Sequence, residues 1–276
     1  MKNVRGVLVG SAAILVTAVF FLVPFAFIFV TASKTATESS LLSFSWPHHF
    51  VLLQNLKDAL AANDYLMIIA FINSLVLTVV SVAAMVILGA MVAYVWQRRP
   101  GRFSAATINA LVLAGLIVPP AVVPTIWVLQ KVGLFKTMPG LILVEIAFGL
   151  PFCILLFRAF ISTIPRDLDE AATVDGAGSL QIFFRVIFPV LRSVVMTVII
   201  LQTVFVYNDF QNPLYFLPGT ENATVQVTLL SFKSQFVTEY NLLFANILLV
   251  LIPPLIMFMF FNRKIVAGMA AGSIKG

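Results

Sequence analysis

Four long stretches of the chain contain no Asp, Glu, Lys or Arg, and this limits the folds open to it more than any other feature. They cover residues 6–33, 65–97, 103–130 and 240–262, and two further apolar stretches, 137–157 and 186–208, contain one charged residue each. A helix needs about 20 mostly apolar residues to cross the hydrocarbon core of a bilayer. The sequence therefore predicts an all-α integral membrane protein with six transmembrane helices, with cores near 8–31, 70–96, 106–130, 139–160, 186–208 and 241–261.

The composition excludes several other classes of protein. Charged residues make up 10% of the chain and hydrophobic residues 61%, whereas a soluble domain has about 25% charged residues. High hydrophobicity also excludes a disordered chain. Cys153 is the one cysteine, so an intrachain disulfide is impossible. The apolar stretches lack strand alternation and exceed the ~9–11 residues of a barrel strand, which favours helices.

The first apolar stretch follows Lys2 and Arg5, as the core of a secretory signal peptide would. It is too long for that role, because 6–33 is free of charge throughout and a signal core has about 7–15 residues. No clear cleavage site follows it. We predict a retained transmembrane anchor.

The basic residues predict the orientation of the chain in the membrane. With a cytoplasmic N-terminus, 12 of the 17 Lys and Arg residues fall on the inner side, and the outer side holds Lys34, Lys57, Lys131, Lys136 and Lys233. The positive-inside rule then places both termini in the cytoplasm of a cytoplasmic-membrane protein. The same distribution accounts for the net charge of +6, so a nucleic-acid partner is not expected.

The segment 161–185, called the acidic loop below, is the most charged part of the chain. It holds four of the 11 acidic residues within nine positions, Asp167, Asp169, Glu170 and Asp175. Pro165 suits a first helical turn, Thr163 is a candidate cap, and acidic residues favour a helix N-terminus. A short helix is therefore predicted after Pro165.

A second short helix is predicted beyond a glycine corner. Asp175, Gly176 and Gly178 favour a turn, and Ser179 is a candidate cap for a helix with an apolar face formed by Phe183, Phe184 and Ile187. Such a pair would make a rigid knob for docking to a partner. The alternative is a solvated loop whose carboxylates balance Arg158, Arg166 and Arg185. A catalytic carboxylate site is weaker, because His48 and His49 lie elsewhere and no nucleophile is paired with a base.

Polar and proline residues inside the apolar stretches are further candidates for function. Asn73, Glu145, Arg192 and Gln202 would line a pathway or bond a neighbouring helix, and Arg192 can instead reach the membrane surface. The remaining features are prolines expected to kink the third and sixth spans, Pro119, Pro120, Pro124, Pro253 and Pro254.

The acidic loop resembles the EAA loop of ATP-binding-cassette importer permeases. That pattern is Glu-Ala-Ala, three residues, Gly, nine residues and Ile-x-Leu-Pro, and here "EAATVDG" at 170–176 is followed nine residues later by "VIFP" at 186–189. Other segments resemble the carbohydrate-uptake branch of this family, the maltose-type inner-membrane subunit. They are "INSLVLTVVS" at 72–81, "AYVWQRR" at 93–99, 132–152, 164–178, "YNDFQNPLYFL" at 207–217 and "GMAAGSIKG" at 268–276.

The resemblance implies a fold and a division into parts. Residues 68–262 would form the type I importer (MetI-like) permease fold, preceded by an N-terminal helix and first extracytoplasmic segment at 1–67 and followed by a cytoplasmic tail at 263–276. The coupling helix that docks on an ATPase would contain Glu170, Ala171, Ala172, Asp175, Gly176 and Gly178. Lys275 and Gly276 would reach the ATPase from the tail.

The resemblance also implies the partners. The chain has no G-x-x-x-x-G-K-[ST] phosphate loop, so ATP and Mg would be bound by two cytoplasmic ATPase subunits, with no cofactor and no catalysis in this chain. A second homologous permease, an extracytoplasmic sugar-binding protein and membrane lipid would complete the partners. The expected function is ATP-driven import of a sugar, in particular an oligosaccharide. An ion-coupled secondary transporter, with Glu145 as its titrating group, is the alternative.

The segment 207–213 is the best candidate for the translocation pathway, together with Asn73. Tyr207 offers a stacking face for a sugar, and Asn208, Asp209 and Gln211 offer hydrogen bonds. The same residues are typical of a capped turn, and the sequence does not decide between the two interpretations.

Overall fold

The computed structural model describes residues 2–98, 102–219, 221–232 and 239–273, and every regular element within these ranges is a helix. The α-helices are α1 Lys2–Ala32, α2 Ala36–Ser39, α3 Leu52–Arg98, α4 Arg102–Ile117, α5 Val122–Lys131, α6 Met138–Ile161, α7 Asp167–Val174, α8 Ser179–Ile182, α9 Phe188–Val190, α10 Arg192–Asn208, α11 Gln211–Phe216 and α12 Tyr240–Ser273. A π-helical turn, Phe183–Ile187, joins α8 to α9, and a 3₁₀ segment, Val227–Phe232, precedes α12. The all-α prediction is confirmed.

Several of these helices are long and apolar enough to cross a membrane. Within the described residues, α1 from Val9, α3 and α6 qualify alone, and Ser179–Val190 with α10 qualifies as one broken span. Ala106–Ile117 and Tyr240–Ile256 are shorter apolar helices within the third and sixth predicted spans. The chain is therefore a multi-pass membrane protein, and the count of six spans stays a prediction.

The third predicted span is not one helix, which corrects the expectation of a single kinked span at 106–130. α4 ends at Ile117 and α5 begins at Val122. Pro119 and Pro120 lie in the gap, and proline both lacks an N–H and disfavours helical backbone in the residue before it. Two adjacent prolines thus interrupt the helix.

The fifth predicted span is bent by 78° between Ser179–Val190 and α10. Two causes lie at the bend. The turn Phe183–Ile187 is π-helical, and Pro189 removes a backbone donor from the next turn. The uninterrupted span predicted at 186–208 is therefore a helix that starts at Arg192, preceded by a segment running in another direction.

The chain forms two compact units, one from Met1–Ala70 with Val227–Leu255 and the other from Phe71–Gln226 with Ile256–Gly276. In the first unit a polar network holds the segment after α1. The ammonium of Lys34, 2% exposed, donates to Ser43 O at 2.6 Å. Asn55 Nδ2 donates to Ala32 O and Lys34 O, both at 2.8 Å, and Asn241 Nδ2 donates to Asn55 Oδ1 at 2.9 Å. Buried donors are thus matched to acceptors, as burial requires.

α3 is interrupted at Ala62–Tyr65, just before the second predicted span. Asn63, Asp64 and Tyr65 have φ values of 51°, 56° and 60°. Asn and Asp tolerate this left-handed region better than other non-glycine residues. A first helical stretch ends at these residues, and the second stretch contains the span core predicted at 70–96.

The second unit is built around α6, which packs closely on α3, α4 and α10. Phe157 and Leu141 of α6 are fully buried, as are Met85 of α3 and Val198 of α10. A Cβ at Gly149 of α6 would collide with the sulfur of Met85. Small residues at a contact let membrane helices approach closely. Close packing matters there because lipid gives the helices no hydrophobic driving force to associate. Cys153 of α6 lies at a second close approach, to Gly89 of α3, and is 0% exposed.

Candidate coupling site at the acidic loop

The acidic loop contains the two short helices that its sequence predicts. α7 carries Asp167, Asp169 and Glu170 in its first turn, where the helix dipole favours negative charge. α8 follows four residues after the end of α7 and continues through the π-helical turn. The predicted pair of helices is present, so the site has regular secondary structure rather than an irregular loop.

Gly176 makes the corner between the two helices. Its φ is +81°, Gly176 N donates to Thr173 O at 3.0 Å, and Ala177 N donates to Ala172 O at 3.0 Å. These two bonds with a left-handed residue between them define a Schellman motif, which satisfies carbonyls left free at a helix end. Gly178, by contrast, has φ −71°, so its backbone does not require glycine.

Both predicted N-terminal caps are wrong. α7 begins at Asp167 rather than at Pro165, and Thr163 Oγ1 donates to Phe160 O at 2.7 Å instead of accepting from the helix. Ser179 is the first residue of α8, and Gly178 occupies the cap position without a side-chain bond.

The end of α3 fixes the base of the acidic loop. Tyr94 OH donates to Asp169 Oδ1 at 2.6 Å, and Arg98 Nη2 lies 3.1 Å from Asp169 Oδ2. Arg98 Nη2 also donates to Ile164 O at 3.0 Å. The ion pair is mostly buried, with side-chain exposures of 9% for Arg98 and 17% for Asp169. A charge-assisted pair with good hydrogen bonds is strong where water is excluded.

Three contacts of aromatic rings reinforce this base. The ring of Phe183 lies 5.5 Å from that of Tyr94 and 4.9 Å from that of Phe184, measured between centroids. The guanidinium of Arg158 lies 3.6 Å from the ring centre of Trp96. Cation–π and aromatic contacts of this geometry stabilise packing. The buried ring of Phe183 thus packs on the same tyrosine, Tyr94, that binds Asp169 of α7.

The sequence-predicted coupling residues lie together on the outside of this assembly. Glu170, Ala171, Asp175, Gly176 and Gly178 are exposed, and Ala172 is half-buried against the core. Apolar side chains stand beside them, with exposures of 87% for Val174 and 65% for Leu180. The sequence pattern predicts no role for Val174, Leu180 or Tyr94, and it indicates Arg98 only as a residue of the inner membrane border. Two sequence signals could have indicated these residues. Val174 and Leu180 are apolar residues close to the acidic ones, and Tyr94 is a tyrosine at the end of a predicted span.

The predicted pathway residues are hydrogen-bonded within the second unit. Asn73 Nδ2 donates to Ala223 O at 3.1 Å, and Asn208 Oδ1 accepts from Gln226 Nε2 at 3.2 Å. The segment 221–226 thus contacts both α3 and α10. Asp209 Oδ1 accepts from Gln211 N at 2.8 Å and so caps α11, as the turn interpretation expects.

Tyr207 is half-buried and Gln211 is exposed. Lys275 and Gly276 lie outside the described residues. Whether any of these residues contacts a substrate or partner stays a prediction.

The described residues thus form several apolar helices of membrane-spanning length, with an exposed pair of short helices, α7 and α8, between α6 and α10. Residues 85–270 match the family of binding-protein-dependent transport system inner membrane components. The chain belongs to this family. The match favours the importer over the ion-coupled alternative.

Relatives from several bacteria are similar over most of the chain. The melibiose/raffinose/stachyose import permease protein MelC of Bacillus subtilis is 32% identical over 210 residues, which are 75% of this chain and 76% of that one. The diacetylchitobiose uptake system permease protein NgcG of Streptomyces coelicolor is 31% identical over 273 residues, covering 97% and 88%. A subunit in the crystal structure of a bacterial ABC transporter that imports the acidic polysaccharide alginate has a TM-score of 0.81 at 19% identity, covering 95% and 96%. That last likeness shows the fold.

Proposed function

We propose that the chain is the transmembrane permease subunit of an ATP-driven, binding-protein-dependent importer of oligosaccharides or related sugars. The family match supports the transport role. The sugars named for its relatives support the substrate class, since melibiose, raffinose, stachyose and diacetylchitobiose are all short saccharides. The chain is a non-catalytic subunit, because it lacks a phosphate-binding loop and its energy must come from a partner.

The observation that carries the proposal is the exposed helix pair of the acidic loop. It lies between two spans, its base is held by Arg98 and Tyr94, and it presents Glu170 and Val174 outward. An ATPase subunit that moves this pair as a rigid body would transmit the movement to α6 and α10 through the buried side chains of Phe183 and Ile187. A docking element that moves as a rigid body can transmit its movement to the spans, because a packed core changes between discrete arrangements instead of deforming gradually.

The partners follow from this role. Two ATPase subunits would bind ATP and Mg in the cytoplasm, on the side of the acidic loop and of both termini. A second homologous permease would complete the pathway, and a sugar-binding protein would deliver substrate on the other side. Asn73, Tyr207, Asn208, Asp209 and Gln211 remain the candidates for contact with the sugar, and the tail with Lys275 and Gly276 for contact with the ATPase.

Charge reversal at Glu170 tests the coupling role. We expect E170K to reduce sugar uptake at least tenfold while the chain still inserts in the membrane, because the exposed side chain contacts the partner rather than the core. The measurements are uptake of labelled oligosaccharide into vesicles and substrate-stimulated ATP hydrolysis by the purified complex.

The matched control is Asp58→Lys, the same charge reversal on an exposed helical residue remote in sequence from the acidic loop. It should transport normally. Unchanged uptake by E170K would contradict the assignment of the coupling helix. A chain that purifies without any ATPase subunit would contradict the importer itself.

A further inference from the structure

The segment between α1 and α3 exposes several large apolar side chains. Phe44, Trp46 and Phe50, called the aromatic patch below, have exposures of 61%, 69% and 54%. Leu41 and Leu53, which flank them in the sequence, are exposed as well. A contiguous apolar patch on a protein surface is normally covered by a membrane or by another protein. The neighbours of the patch indicate which of the two covers it.

The aromatic patch is continuous with the exposed surface of α1, which belongs to the same unit. Between ring centroids, Phe50 lies 6.4 Å from Trp46 and 6.3 Å from Phe29 of α1. Phe44 lies 6.1 Å from Phe27 of α1. α1 is long and apolar enough to cross a membrane, and most of its large side chains are exposed. The patch therefore extends the apolar surface of a membrane span, which favours lipid as its cover.

The level of these contacts on α1 gives the depth of the patch. α1 ends at Ala32, so at about 1.5 Å per residue Phe29 and Phe27 lie about 4–8 Å before its end. Side chains of a helix lean toward its N-terminus, which here is farther into the membrane. The segment thus folds back along a span that is still apolar at this level, because 6–33 holds no charged residue. Amphipathic segments in a membrane interface bury their apolar side to a similar depth, about 5–10 Å.

A buried lysine holds the segment in this position. The ammonium of Lys34 donates to Ser43 O at 2.6 Å, to Ser45 Oγ at 3.2 Å and to Ser43 Oγ at 3.3 Å. Val51 N donates to Ser33 O at 3.0 Å and closes the segment at its other end. The sequence Ser-Phe-Ser-Trp therefore alternates, with both serines bound to the lysine and both aromatic rings exposed.

The charges of this region give no preference for acidic lipid. Attraction to acidic headgroups requires an excess of basic residues close to the membrane. Residues 33–62, all of which the structure describes, hold two lysines and two acidic residues, namely Lys34, Glu38, Lys57 and Asp58. His48 and His49 are exposed between the rings and can bond headgroup oxygens. The chemistry of the patch thus suits the interface of an ordinary phospholipid bilayer.

We propose that the aromatic patch inserts into the bilayer interface at the C-terminal end of α1 and binds zwitterionic and acidic phospholipids alike. Lys34 is the positioning residue, because it keeps the segment folded back on the span. Lys34 O accepts from Asn55, whose Oδ1 accepts from Asn241. The patch thereby anchors the start of α12 as well as the end of α1. This holds whatever solute the chain transports.

The test uses the full transport complex in nanodiscs of phosphatidylcholine with brominated acyl chains, since bromine quenches a tryptophan in contact with lipid. Trp46→Phe should remove part of the quenched emission of the wild type. The matched control is Trp96→Phe, at a side chain that is 4% exposed, and it should leave the quenched emission unchanged. Bromine near the glycerol end of the chains should quench Trp46 more than bromine near the methyl end. Addition of phosphatidylglycerol should have no effect.

Lys34→Met tests the positioning role in the same nanodiscs. It removes the three bonds of the ammonium, so the quenching of Trp46 by lipid should fall and its quenching by aqueous iodide should rise. Lys57→Met, at an exposed lysine, should change neither. If the Lys34 variant does not assemble, the comparison of Trp46→Phe with Trp96→Phe still decides whether the patch meets lipid.

Three results would overturn the proposal. Quenching of Trp46 by iodide and not by lipid would show a surface in water, and protection from both quenchers would show that a protein covers the patch. Quenching that requires phosphatidylglycerol would show recognition of acidic headgroups. Loss of sugar uptake with the lipid quenching unchanged would affect the proposed function alone.

Discussion

At the scale of single residues, Asp169 has a role that the sequence does not reveal. It was predicted only as one of several acidic residues suited to a helix N-terminus, and its carboxylate is in fact bound by Tyr94 and Arg98. These partners are separated from it by 75 and 71 positions in the chain. Local sequence pattern predicts local structure, whereas such a contact depends on how α3 packs. The arginine was predicted only as a marker of the inner membrane border.

Tyr94→Phe tests this contact. It removes the hydroxyl donor and leaves the ring against Phe183, so we expect a loss of about 1–2 kcal/mol in the local stability of the acidic loop, moderated by the partial exposure of Asp169. Backbone amides of α7 should then exchange with deuterium about tenfold faster, as measured by mass spectrometry. Tyr215→Phe, at an exposed tyrosine, should leave α7 unchanged. Equal exchange in both variants would show that the hydroxyl is not needed.

At the scale of elements, turn chemistry was predicted better than helix caps. Gly176 was recognised as a corner because positive φ suits glycine, and the structure confirms it. The caps at Thr163 and Ser179 failed because several nearby hydroxyls suit a cap equally and the choice depends on where the preceding helix stops. Thr163 already bonds the last turn of α6. The interruption between α4 and α5 was underestimated for a related reason: Pro119 and Pro120 break a helix, whereas α12 continues through the adjacent pair Pro253 and Pro254.

Substitutions at the two glycines of the corner should differ in effect. Gly176→Ala places a side chain on a left-handed backbone and should cost about 1–2 kcal/mol. Gly178→Ala meets open space at negative φ and should be neutral or slightly stabilising. Thermal unfolding of the purified complex and its coupled ATP hydrolysis measure both effects. A larger loss in Gly178→Ala than in Gly176→Ala would show that the Schellman motif does not control the corner.

At the scale of the whole molecule, the apolar stretches predicted the class of protein because length and freedom from charge are properties of the sequence alone. The points at which the helices of these stretches are interrupted are harder to predict from the sequence. α3 joins a helical stretch before Ala62 to a span after Tyr65, and the fifth span begins with a segment at a steep angle to α10. Both features result from a few residues whose backbone departs from a helix. The pathway candidates near 207–213 stay a prediction, and the segment 221–226, which bonds Asn73 and Asn208, has no sequence signal.

The one cysteine of the chain should report on unfolding of the second unit. Cys153 is 0% exposed, so a maleimide reagent should modify it only when the packing of α6 on α3 opens. Its labelling rate should therefore rise over the same temperature range as loss of helix measured by circular dichroism. A cysteine placed by Val174→Cys, at a side chain that is 87% exposed in the chain alone, should react at once when the ATPase subunits are absent. Rapid labelling of the native chain would contradict the burial of Cys153.

This protected thiol also makes the chain convenient for mapping its own topology. Introduced cysteines can be labelled one at a time without first replacing the native one, because the buried sulfur does not compete for a polar reagent. A reagent that cannot cross the bilayer, applied to sealed vesicles of either orientation, would then assign each loop to a side of the membrane. Because α6 packs closely, a protein that carries one introduced cysteine and no other change is enough to show which side of the membrane the acidic loop faces.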